Sequence, residues 1–145
     1  MPALVAVANP YQALTAQLRL SADVVALTST RIGLEMQTSW LMPKQAIVVT
    51  QAGGVADVYP PLATARAAIR CFAPKYFHDA EALYERVLAW LLRPEGNGPT
   101  SFTLGGCVVH GVQHEGSIPR LADYEGKPWP SFLLYVVMTY SLVPS

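Results

Sequence analysis

Residues 64–92 read TARAAIRCFAPKYFHDAEALYERVLAWLL, and within them the hydrophobic period changes from about two to about 3.6. Over Thr64–Phe72, Ala65, Ala67, Ile69 and Cys71 fall on one face, and Arg66, Ala68, Arg70 and Phe72 on the other. That alternation predicts a strand with one dry face and one partly wet face. Pro74 ends it. Phe77, Ala80, Leu83, Tyr84, Val87, Leu88 and Leu91 then recur at helical spacing, opposite Asp79, Ala82, Glu85, Arg86 and Ala89. An amphipathic helix through Leu92 is expected, closed by Pro94, with Asp79 and Glu81 near its start and Arg93 at its end suiting the helix dipole. The joint between strand and helix holds no glycine loop and no residue of catalytic character.

Working outward, Tyr11, Leu14 and Leu18 keep helical spacing after Pro10, and Ser21 is placed to cap a second short helix carrying Val24, Val25 and Leu27. The stretch TSTRIG then reads as a turn ending at Gly33. Gln45–Gln51 is β-branched and bounded by Pro43 and Gly53-Gly54, which predicts a strand. Residues 52–62, with two glycines and two prolines, read as a loop. A second loop, PEGNGPTSFTLGG, leads to a strand around Cys107–Glu115, and a third, IPRLADYEGKPWP, leads to a last strand from Ser131 to Leu142. That strand is apolar on both faces, so it needs cover on both. The expected fold is α+β: one mainly antiparallel sheet of about four strands, packed against an N-terminal helical segment and one central amphipathic helix, with long loops.

The 145 residues suit a single domain spanning 1–145. Ten basic and ten acidic residues cancel, so no global charge steers the chain to nucleic acid or an anionic membrane. A composition 52% hydrophobic and 14% charged points to surface buried against other subunits. The N-terminal MPALVAVA lacks the basic flank of a signal peptide, and SFLLYVVMTYSLV is shorter than the roughly 20 residues of a membrane helix. Two cysteines make no disulfide framework, and a reducing cytoplasm is expected.

Candidate chemistry is sparse. Cys107, His110 and His114, with Cys71 as a fourth ligand, are the best zinc set, but regular alternation puts the two histidines on one face and Cys107 on the other. A Cys/His nucleophile pair, from Cys71 or Cys107 with His78, His110 or His114, has no local signature. Asp123 and Glu125 read as turn formers. Gly53-Gly54 and Gly105-Gly106 lack the context of phosphate cradles, and Arg66 with Arg70 is too small a cluster for nucleic-acid readout. No catalytic residue, metal or cofactor is expected. What remains is contact: Val55, Val58 and Tyr59 in the first loop, Phe102 in the second, Tyr124 and Trp129 in the third, and Arg66 and Arg70 on the strand.

Taken together, TRIGLEM after a helical segment, IVVTQAGG, ARAAIRCFAPKYFHDAEALYERVLAWL and the closing apolar strand resemble the tail completion or tail terminator proteins of long-tailed bacteriophages. The resemblance covers nearly the full chain and is strongest over Arg66–Leu91. It implies a non-enzymatic protein of the virion neck, assembled in the host cytoplasm. Such a protein forms a homo-oligomeric ring, commonly a hexamer, that ends the tail tube and joins it to the head. The implied partners are the tail tube protein and a head-completion or connector protein, with a bore through which DNA can pass without sequence recognition. The loops PEGNGPTSFTLGG and IPRLADYEGKPWP are longer than the family pattern. Two alternatives stand beside this reading: a head-completion (stopper) or other neck ring protein, and a small-molecule-binding or enzymatic α+β domain.

Overall fold

Asn9 opens the first helix through a reciprocal cap. Its side chain accepts from the Gln12 backbone N–H at 2.8 Å, and the Gln12 side chain accepts from the Asn9 N–H at 3.2 Å. Helix α1 spans Pro10–Arg19 with proline in the first turn, and α2 spans Ala22–Thr28, capped by Ser21 as its sequence predicts. The computed structural model describes residues 9–34, 45–52, 63–73, 76–91, 101–121 and 130–142.

Six strands follow the two helices, with one further helix among them: β1 Ile32–Gly33, β2 Ala46–Gln51, β3 Ala63–Phe72, α3 Phe77–Leu91, β4 Phe102–Leu104, β5 Cys107–Leu121 and β6 Ser131–Leu142. They form one sheet in the order β1-β2-β3-β6-β5-β4. All neighbours are antiparallel except the β1–β2 pair. The α+β class and mainly antiparallel sheet match expectation; among the described residues the sheet has six strands, where about four are expected. The extra two are the short β1, formed where TSTRIG reads as a turn, and β4, formed inside the second loop. β5 also continues past Glu115 into the third loop, to Leu121.

Register sorts the sheet into two faces. Ile69 lies between Val49 and Leu134, and Ala67 between Gln51 and Val136. These residues, excepting exposed Gln51, share one buried cluster with Ala13, Leu14 and Leu18 of α1, Val24 of α2, and Leu83, Val87 and Leu91 of α3. All three helices therefore cover the same face. The predicted α3 stripe is observed, with Ala80, Leu83, Val87 and Leu91 buried. Each fully buried aliphatic side chain contributes on the order of 1.5–3 kcal/mol.

Contacts along its length fix α3 against β6, α1 and α2. Tyr84 packs on Phe132 with ring centroids 5.3 Å apart, the Trp90 indole donates to the Gln17 carbonyl at 2.8 Å, and Arg86 donates to the Asp23 carbonyl at 2.7 Å. Among the described residues no helix packs on the opposite face of the sheet.

Candidate interaction surface

The helix-free face is built by cross-strand rows. Val48 lies beside Arg70 and then Leu133; Thr50 beside Ala68, Tyr135 and Gly116; Arg66 beside Val137 and Gln113; Thr64 beside Thr139 and Gly111. Direct cross-strand partners share a face, so these side chains form one surface. Between β2, β3 and β6 it dips into a groove of about 250 Å³. Buried Val48, Ala68 and Leu133 floor the groove, and Thr50, Gln51, Arg70 and Tyr135 line it. An apolar floor with a polar rim suits protein contact.

Both sequence-predicted arginines stand on this surface. Arg66 pairs with Glu115 across the intervening β6, its Nε donating to Oε2 at 3.0 Å and a terminal nitrogen meeting Oε1. The two side chains are 46% and 35% exposed, so solvent screens the pair. Arg70 sits with its guanidinium carbon 5.9 Å from the centroid of the Phe72 ring, within the range of a cation–π contact.

Phe102 is placed differently from its expectation as a loop residue. It lies on β4 opposite Val109 and is 8% exposed, within the core cluster that includes α1. Val55, Val58, Tyr59, Tyr124 and Trp129 lie outside the described residues.

The candidate ligand set is taken apart by the fold. Cys71 pairs with Phe132 and Cys107 with Leu142, at opposite ends of β6, so roughly 33 Å of strand separates them at about 3.3 Å per residue. Burial pushes the Cys71 thiol far above its ordinary value and raises Cys107 as well, which favours the unreactive protonated form. His110 and His114, expected on one face, lie on opposite faces. A β-bulge between Val109 and Gly111 inserts one residue and reverses the alternation for one step. His110 Nε2 lies 2.8 Å from the Ser141 hydroxyl on the helix-free face. His114 Nε2 lies 2.9 Å from Ser117 Oγ, which is also 2.6 Å from the Tyr84 hydroxyl of α3. Sequence reasoning missed this Tyr84–Ser117–His114 chain, because only a second register shift, between His114 and Gly116, brings Ser117 to the face of His114.

No protein-family model and no curated protein matches this sequence. Among solved structures the chain is similar to one chain of the virion of native gene transfer agent (GTA) particle. The TM-score is 0.67 at 15% sequence identity, covering 91% of this chain and 94% of that one. The likeness at that identity is one of fold, and it runs nearly end to end in both chains.

Proposed function

We propose that this protein is a structural component of a phage-like virion, and specifically a tail terminator: a homo-oligomeric neck ring that ends the tail tube and joins it to the head. The observation that carries the reading is the near full-length fold likeness to a chain of a gene transfer agent virion, at TM-score 0.67. The geometry supports contact over reaction. All described helices cover one sheet face, the other carries a groove with an apolar floor, and burial raises both thiols. Six copies around a closed ring fit the resemblance of the sequence to tail terminators, and closed rings need a heterologous contact between copies. The tail tube and the head connector would meet the two ends of the ring.

Removing the coding sequence from the producing genome tests this. Separate filled heads and unjoined tails are expected, with joining restored when the protein is supplied in trans. Particles of normal morphology and yield without the protein would overturn the reading.

A further inference from the structure

The outer edge of β5 has no place in the chemistry above. β4 pairs only with Cys107–Val109, while β5 continues to Leu121. Among the described residues no backbone group bonds to that edge from His110 onward. A row of open N–H and C=O groups is a template for another extended segment. Its protection is partial. Register shifts follow Val109, His114 and Ile118, Pro119 removes one donor, and the Glu115 carboxylate is already held by Arg66.

Gly111 and Gly116 supply a second, independent observation. A Cβ built on either meets no atom within 4 Å, and among described glycines only Gly105 has a positive φ. Bulges that demand glycine place it in the left-handed conformation, and neither of these adopts it. Tyr135, directly across from Gly116, does not fill the space beside it. Among the described residues nothing requires glycine at either position, and glycine weakens a strand interior. Close approach by another backbone is the remaining physical reason.

We infer that the outer edge of β5 from Gly111 to Ser117 receives an extended strand of a second copy of this chain, whose side chains fill the space over Gly111 and Gly116. The inference rests on the ring reading above. In a heterologous ring each copy presents one flank and covers another. The open edge lies at one flank of the sheet. At the other, β1 pairs only with Ile47 and Val48, leaving exposed Thr50 and Gln51 beyond it. A net charge of zero lets identical copies meet without long-range repulsion.

Amide hydrogen exchange compares the isolated chain with the chain in assembled particles. The amides of residues 111–117 that point away from β6 are expected to slow by at least about tenfold on assembly. Gly111→Val/Gly116→Val should fold with an unchanged or higher Tm, since both Cβ positions are open, yet enter particles at less than about one-tenth of wild-type occupancy. Should that variant fail to fold, Gln113→Lys carries the same expectation, because it only adds charge at an exposed position of the edge. A folded variant that assembles normally overturns the inference, as does unchanged exchange in a wild-type ring or a different protein seated on β5. The ring reading then stands. Wild-type chain present in particles as a single copy overturns the ring reading and this inference with it.

Discussion

Arg66 of β3 reaches across β6 to Glu115 of β5, tying three strands together on the face opposite the described helices. The pair is forked, which fixes its geometry, but it is open to solvent, which limits its energy. Its effect is therefore to order the surface rather than to hold the fold.

A double-mutant cycle on Arg66→Ala and Glu115→Ala, read by denaturant unfolding, should give a coupling of about 0.2–1 kcal/mol that shrinks as salt is raised. A coupling above about 2 kcal/mol, insensitive to salt, contradicts a screened surface pair.

The α3 stripe is graded, and substitution should reveal the grading. Leu83 is fully buried and Leu88 only partly so, so Leu83→Ala should cost about 2–5 kcal/mol and Leu88→Ala distinctly less. Leu83→Asp, which puts an unpaired carboxylate into the core, should leave little soluble folded protein. Near-wild-type melting of Leu83→Asp contradicts the packing of α3 on the sheet.

The alkaline limb of stability follows from Cys71, Cys107 and Tyr11. Burial raises all three, with the Tyr140 charge adding to the shift at Tyr11. A group whose folded pKa lies above its unfolded value binds its proton more tightly in the native state. Its contribution is complete below the unfolded value, about 8.5 for cysteine, and falls as pH rises above it. Stability should thus decline from about pH 8.5 upward, and Cys71→Ala should flatten that decline at a small packing cost. An unchanged slope in Cys71→Ala removes Cys71 as a source.

The long elements were legible because their patterns are long. Nine alternating residues, Thr64–Phe72, announce β3, the helical recurrence from Phe77 to Leu91 announces α3, and Ser21 caps α2 where its side chain predicts. β1 and β4 were not legible, since two or three residues show no period. β5 was cut short at Glu115 because glycine, serine and Pro119 are loop signals, which an edge strand tolerates. Alternation misplaces His110 relative to His114, because the bulge between Val109 and Gly111 carries no mark in the period of the sequence. Of the candidate contacts, Arg66 and Arg70 share one surface, whereas the apolar content that made Phe102 a contact candidate is what buries it under α1.

The apolar residues that the sequence places in loops separate contact from folding. Val55, Val58 and Tyr59 changed together to serine, or Trp129→Ala, should leave Tm nearly unchanged while complementation of head-to-tail joining is lost. A buried interface aromatic contributes about 2 kcal/mol or more, repeated at each copy of a ring, so the loss should be steep. Normal yields of joined particles from both variants would move the contacts to the helix-free face around Arg66 and Arg70.

The most direct measurement is a three-dimensional reconstruction of the neck in particles carrying this protein. A closed ring of this chain, six copies around the axis, is expected between the last tail-tube ring and the head connector. A single or paired copy, or density for this chain only in the head shell or at the distal tail tip, would contradict a tail terminator.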